Sequence, residues 1–419
     1  MGLIINEELI DAGQTVVLGL SGGPDSVCLL FELLALGALR EEAHASDAAS
    51  IGALREEAHA SDAASIGALR EEARDGDAAS IGAFKIIAAH VNHGLRGDES
   101  DGDEGYVRSL CEKLAVPLEV VRIDAASLAK QTGLTIEEAG REARYAFFDE
   151  LCEKHENPVI AVAHNLGDQI ETILMRILRG TGTGGLAGIQ QRRKSAAGYE
   201  IVRPLLGVSR EEICERLEEY GETARTDSSN RNTEYLRNKL RHEAIPYLED
   251  ATGFSLRHSL LRLAENAAED KEYFDAITAE TLDEYLEYPE AERGQSPCGP
   301  QLSDKEEPSL GDTKGTSPCV APCVACVAYL PAGMLANVHP AVRHRLIRAV
   351  FAELGLGKDI AAVHLAAADR LLQTWKDGGE ASGKRVEFPF DYTFGIAGKK
   401  AVFRAPAAAE PGWKPRRKR

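Results

Sequence analysis

The chain has 419 residues, of which 44% are hydrophobic and 27% charged, and a formal net charge of −19. That length exceeds a usual single core and predicts two or three domains, while no apolar run approaches the roughly 20 residues that span a bilayer. The acidic excess argues against a nucleic-acid partner unless basic residues are gathered locally, since phosphate binding needs a positive surface.

The opening MGLIINEELIDAG carries acidic residues where a signal peptide carries basic ones, so a cytoplasmic protein is expected. The eight cysteines are too sparse for a disulfide scaffold. Cys28, Cys111, Cys152 and Cys214 sit singly in helix-like apolar patterns and are expected as buried thiols.

The first strand is expected at Thr15 to Leu20 and the first helix at Asp25 to Leu36, with Ser21, Gly22, Gly23, Pro24, Asp25 and Ser26 forming the turn between them. Glycines there let backbone amides approach a phosphate, the two serines can donate hydroxyl hydrogen bonds, and the helix N-terminus favours negative charge. The loop should bind an anion. Neither a Walker loop nor the dinucleotide pattern G-x-G-x-x-G is present.

An internal repeat follows. EEAHASDAASIGALR occurs identically at Glu41 to Arg55 and Glu56 to Arg70, and returns altered at Glu71 to Lys85. Each copy is net acidic and offers too few large apolar side chains to stack as a solenoid, which makes residues 41–85 a duplicated surface insertion.

Beyond it, strands are expected at Phe84 to Val91, Leu118 to Ile123 and Val159 to Ala163. They alternate with helices at Ser100 to Leu114, Thr135 to Lys154 and Leu166 to Arg179. That alternation implies a parallel sheet covered on both faces, binding ligands at the carboxyl ends of its strands.

His93 and Arg96 follow a strand end and are functional candidates, whereas His90, inside the strand, reads as structural. Arg141 and Arg144 could contact phosphate, base or substrate, although Glu137 and Arg141 at i and i+4 also suit a solvated helix pair. The glycine-rich stretch Arg179 to Gly188 could close over a nucleotide or serve as a link; Arg179 and Gly180 are favoured for a role.

Basic clusters at Gln191 to Lys194, Arg231 to His242 and Arg257 to Arg262 stand apart from the acidic regions. Past Leu248 one or two amphipathic helices are expected, with a basic first part able to face RNA. The chain then divides into a low-complexity linker at 289–328, a small α+β region at 329–404 and a basic tail at 405–419.

The string S-G-G-x-D-S at Ser21 to Ser26, between a strand and a helix, resembles the pyrophosphate-binding loop of the N-type ATP pyrophosphatases. Ala88 to Asp124, TIEEAGREARYAFF at Thr135 to Phe148, and AVAHNLGDQIETILMRILRGTGTGGLAGI at Ala161 to Ile189 are similar to successive segments of the tRNA(Ile)-lysidine synthetase family within that class. RPLLGVSREEI at Arg203 to Ile213 and DSSNRNTEYLRNKLRHEAIPYL at Asp227 to Leu248 continue the resemblance. Many members read H-H-x-D-D-Q where this chain has His164, Asn165, Leu166, Gly167, Asp168 and Gln169, so the first aspartate is lost and the second kept.

The resemblance implies an α/β fold: a parallel-sheet PP-loop ATP pyrophosphatase domain, of the adenine nucleotide α-hydrolase-like type, at 1–215, a helical tRNA-contacting region at 216–288, and a small α+β substrate-recognition domain. The further C-terminal domain of long members is expected to be absent. The implied reaction adenylates the wobble cytidine of a tRNA(Ile) with a CAU anticodon, using ATP, and then joins free L-lysine to C2 of the base, releasing AMP. Asp25 and Asp168 are the implied catalytic carboxylates and Mg²⁺ ligands. Ser21 to Ser26, His93, Arg96, Arg144, Arg179 and Gly180 are the implied nucleotide contacts, and a homodimer is compatible with the resemblance.

Two other readings stay open at the level of sequence. A tRNA cytidine thiolase shares the loop and uses cysteine pairs, and Cys323 to Cys326 form a C-x-x-C beside Cys298 and Cys319, although local duplication explains that stretch as well. A non-catalytic tRNA-binding protein would keep the loop but not both aspartates.

Overall fold

The computed structural model describes residues 2–49, 80–81, 84–95, 97–225, 236–289, 327–356, 360–381 and 383–406. Most of the repeat, the linker cysteines Cys298, Cys319, Cys323 and Cys326, Arg96 and the end of the basic tail lie outside the described residues. The chain divides into two compact units, Met1–Ala268 and Glu269–Arg419.

The first unit is built on one mainly parallel sheet. Its strands are β1 (Thr15–Gly19), β2 (Ser80–Ile81), β3 (Phe84–Asn92), β4 (Leu118–Arg122), β5 (Pro158–Ala161), β6 (Arg192–Lys194) and β7 (Glu200–Val202). β1 lies centrally, parallel to β3 on one side and β5 on the other; β4 and β7 extend the parallel pairing outward, while β2 and β6 pair antiparallel. Val16, Val17 and Leu18 are fully buried, as expected of a strand covered on both faces, where apolar residues run continuously instead of alternating.

Helices cover both faces: α1 (Pro24–Ala49), α2 (Asp98–Lys113), α3 (Ala125–Thr132), α4 (Ile136–Cys152) and α5 (Leu166–Leu178). Three of the sequence boundaries are set by caps. Pro24 opens α1, where its missing N–H is no loss. Thr135 and Glu138 form a reciprocal capping box on α4, and Asn165 and Asp168 do the same on α5. The first helix departs from expectation. It continues past Leu36 into the first copy of the repeat, and Ser80–Ile81 of the third copy pairs with the start of β3.

A short helix α6 (Thr183–Leu186) lies in the loop before β6, and after β7 come α7 (Arg210–Glu219), α8 (Leu236–Lys239), a π-turn over Leu240–Ala244, α9 (Ile245–Thr252) and α10 (Leu256–Tyr285). The early part of α10 buries Leu260 and Ala264 with Ile170 and Ile173 of α5. Cys28, Cys111 and Cys152 are buried, and burial pushes each thiol up to about 12. Cys214 corrects the sequence expectation: Ile213 takes the inward position on α7 and leaves its neighbour exposed.

In the second unit, β8 (Val327–Pro331), β9 (Arg385–Glu387), β10 (Thr393–Ala397) and β11 (Lys400–Arg404) form an antiparallel sheet in the order β8-β11-β10-β9. Helices α11 (Ala332–Asn337), α12 (Pro340–Glu353) and α13 (Ala362–Lys376) complete it. Phe351, Phe394 and Phe403 form its aromatic centre, with ring centroids 5.1–5.3 Å apart.

Among the described residues, no helix is long and apolar enough to cross a membrane.

Candidate functional site

A cleft of about 360 Å³ opens at the carboxyl ends of β1, β3 and β5 in the first unit. One wall is the turn after β1. Ser26 Oγ accepts from the Ser21 amide at 3.1 Å and donates to the Gly23 carbonyl at 2.9 Å, so the second serine holds the loop in shape from inside. Gly22 sits at φ +88°, and a Cβ there would approach Val107 to 3.2 Å, so this turn requires glycine at that position. The loop leads into the N-terminus of α1, where unsatisfied amides and the helix dipole favour an anion.

Asp25 stands in the first turn of α1 and Asp168 in the first turn of α5, helices that follow the paired strands β1 and β5. Asn165 connects them. Its side-chain oxygen accepts from the Asp168 amide at 3.1 Å, the Asp168 carboxylate accepts from the Asn165 amide at 3.1 Å, and the Asn165 side chain also hydrogen-bonds Asp25. Asn165, read from sequence as a departure from the family pattern, thus sits at the centre of the carboxylate pair.

Burial raises the Asp25 pKa above the usual carboxylate value, and the charge of Asp168 adds to that, against the opposing pull of Arg210 and Asn165. Arg210, the first residue of α7, ion-pairs with Asp25. Asp168 lies 3.6 Å from both Arg237 and Arg241, whose Nε atoms are bound at 2.7 and 2.5 Å by the buried carboxylate of Glu171. The basic stretch around Arg231 to His242 is in this way brought, through its described part, onto α5.

The opposite wall comes from β3 and α4. Arg144 donates to His93 Nε2 at 3.0 Å, which joins two of the sequence candidates. His90 Nδ1 bonds the Leu20 carbonyl at 2.8 Å within the sheet, and burial lowers its pKa. Arg141 lies over the Tyr145 ring, 5.0 Å from the centroid, and no ion pair joins it to Glu137 among the described residues.

Arg179 and Gly180 are not at the cleft. They close the far end of α5, 11 residues or roughly 17 Å along the axis from Asp168. The glycine-rich stretch after them folds back on its own helix: Arg176 donates to the Gly185 and Gly188 carbonyls at 2.9 and 2.6 Å, and Gln169 accepts from Ile189.

Several residues that support this cleft and its carboxylate pair were quoted in sequence segments without being singled out, namely Glu171, Arg203, Arg210, Arg237 and Arg241. Each needs a partner far away in the chain. Only the fold brings those partners together.

The family model described as the PP-loop domain matches residues 4–248, more than half of the chain. The chain belongs to the PP-loop family. In this PP-loop protein, residues 330–389 match a second model, described as the TilS substrate binding domain. Among curated relatives, the tRNA(Ile)-lysidine synthase of Clostridium tetani is 37% identical over 267 residues, covering 64% of this chain and 47% of that protein. The protein of the same name from Clostridioides difficile is 34% identical over 275 residues, covering 66% and 50%. The chain spans about half the length of the curated relatives it matches. A solved U34-tRNA thiolase, NcsA from Methanococcus maripaludis, aligns with TM-score 0.42 and 17% identity over 64% of this chain and 75% of that one.

Proposed function

We propose that this PP-loop protein is a tRNA(Ile)-lysidine synthetase. It adenylates a tRNA anticodon cytidine with ATP and then joins free lysine to C2 of that base. The observation that carries the reading is the Ser21–Ser26 turn at the cleft, whose Asp25 is tied through Asn165 to Asp168, in a chain whose curated relatives bear that name.

The turn and the N-terminus of α1 grip the phosphates of ATP, leaving the α phosphorus open to the C2 oxygen of the base. Asp25 and Asp168 supply hard oxygen donors at neighbouring helix starts. This set suits Mg²⁺, which usually takes one or two carboxylates and completes its shell with water and phosphate oxygens. Bound there, Mg²⁺ would offset the charge that develops on the phosphates. Asn165 holds the two carboxylates in one frame, and Arg210, Arg237 and Arg241 balance their charge.

His93 and Arg144 form the wall that the base or its phosphate meets. The residues matched at 330–389 recognise the body of the tRNA, and the protein works in the cytoplasm.

Pyrophosphate release tests the reading. Wild-type protein with ATP and tRNA(Ile) bearing CAU should release pyrophosphate, and Asp25→Ala should abolish the release. Release that needs no tRNA, or none with the cognate tRNA, contradicts it.

A further inference from the structure

Arg203 lies just beyond β7 and is only 2% exposed. Its guanidinium donates to the Gln190 carbonyl and to His164 Nδ1, the latter at 3.3 Å, and makes no carboxylate ion pair among the described residues. An arginine stays charged even when buried, and a buried charge needs a compensating one nearby. His164 supplies none: burial, with Arg203, Arg141 and Arg237 nearby, pushes it down to about 4, so at neutral pH it is an uncharged acceptor.

The remaining polar partner is the hydroxyl of Tyr145, on α4, which hydrogen-bonds both Arg203 and Arg193. Arg193 of β6 and Arg141 of α4 lie over its ring, 4.7 and 5.0 Å from the centroid. Tyr145 lines the cleft together with Arg144 and His164. Three guanidinium groups thus surround one phenol, and none of them has a carboxylate ion pair among the described residues.

We propose that the Tyr145 phenol oxygen, set among Arg141, Arg193 and Arg203 at the cleft wall, accepts the proton that the lysine side-chain ammonium must lose before it attacks the adenylated cytidine, the guanidinium groups favouring its phenolate form. The inference rests on the lysidine-forming reading. Burial by itself would raise the phenol, yet the charges of Arg141, Arg193 and Arg203 carry it below its ordinary value.

In the step, an N–H bond of the lysine ammonium breaks and the phenol O–H forms. The freed nitrogen pair makes the bond to C2, and the C2–O bond breaks with its electrons leaving on AMP. The attacking nitrogen, which still carries two hydrogens, gives one up to the departing phosphate, one positive charge stays on the modified base, and the phenol later returns its proton to water.

The test separates the second step. Adenylated tRNA is formed first with ATP alone and then chased with lysine across a pH series. Tyr145→Phe should slow the chase about 100-fold, the lower end of the effect of general-base catalysis. S-(2-aminoethyl)cysteine, whose side-chain amine is less basic, should recover part of that loss. Arg193→Gln should move the pH midpoint of the chase upward without lowering its plateau, a change that mere loss of packing would not produce. In an ultraviolet titration, one of the 11 tyrosines should ionise ahead of the rest and be missing from Tyr145→Phe. A chase at wild-type rate in Tyr145→Phe, or identical titrations of the two proteins, overturns the proposal. If the wild type forms no adenylated tRNA, the reading of function fails at its own first step and the role given to Tyr145 falls with it.

Discussion

Arg210 reaches across 185 positions of sequence to pair with the Asp25 carboxylate. The contact joins the start of α7 to the start of α1 and places a fixed positive charge beside the carboxylate that we assign to Mg²⁺ and phosphate. Arg210→Ala should therefore lower the rate of pyrophosphate release about 100-fold, as for loss of one preorganised charge in an active site, and Arg210→Lys should recover part of it. Because Arg210 is 41% exposed, its loss should barely change thermal stability, which a melting curve run beside the rate assay will check.

Asn165→Ala should act on fold and activity together. Removing the cap of α5 should destabilise the protein by about 1 kcal/mol, measured by denaturant unfolding. The same change releases Asp25 from its tie to Asp168, so activity should fall by more than the stability loss accounts for. Asn165→Asp would keep the cap but set a third carboxylate beside the pair, and should be as inactive as the alanine variant.

The strand ends that build the cleft were legible in the sequence because parallel strands here are short apolar runs followed by caps. Ser21 to Ser26 and His93 stood out because they follow such runs directly, whereas Asp168 and Arg144 were reached through the family resemblance. Asn165 was read only as a departure from the family pattern, since its value lies in a geometry that links two helices. Arg203 was invisible for a different reason: one arginine in RPLLG carries no sign that it will be wholly buried. Glu171 with Arg237 and Arg241 is an ion cluster built from residues 66 and 70 positions apart, and periodicity carries no information over that range.

Glu104 supports the second face of the cleft. Its buried carboxylate accepts from Asn92, Arg108 and Arg122 at 2.9–3.0 Å, and Asn92 in turn accepts from the Gly94 amide in the turn after His93. Burial acts to raise its pKa, but the hydrogen bonds from Asn92, Arg122 and Arg108 prevail and hold it at about 2, against an ordinary value near 4.5. A depressed carboxylate contributes stability above its unfolded pKa and loses that contribution as pH falls toward the folded one. Stability should therefore drop between about pH 4.5 and 2 in the wild type, and Glu104→Gln should flatten that limb while costing about 2 kcal/mol at neutral pH.

Gly19, at the end of β1, has no room for a side chain. A Cβ there would stand 2.9 Å from the Phe148 ring, so Gly19→Ala should destabilise the protein by about 1–3 kcal/mol. Combining it with Phe148→Leu should restore part of the loss, as thermal melts of the single and double variants will show. Additive losses would place the strain elsewhere.

The most direct test of the central claim is the fate of lysine. Purified protein is incubated with labelled lysine, ATP and tRNA(Ile) bearing CAU, and the tRNA is digested to nucleosides. The account predicts a labelled lysine–cytidine nucleoside, formed with one AMP and one pyrophosphate per lysine joined. A digest in which ATP is consumed but no nucleoside carries the label would contradict it.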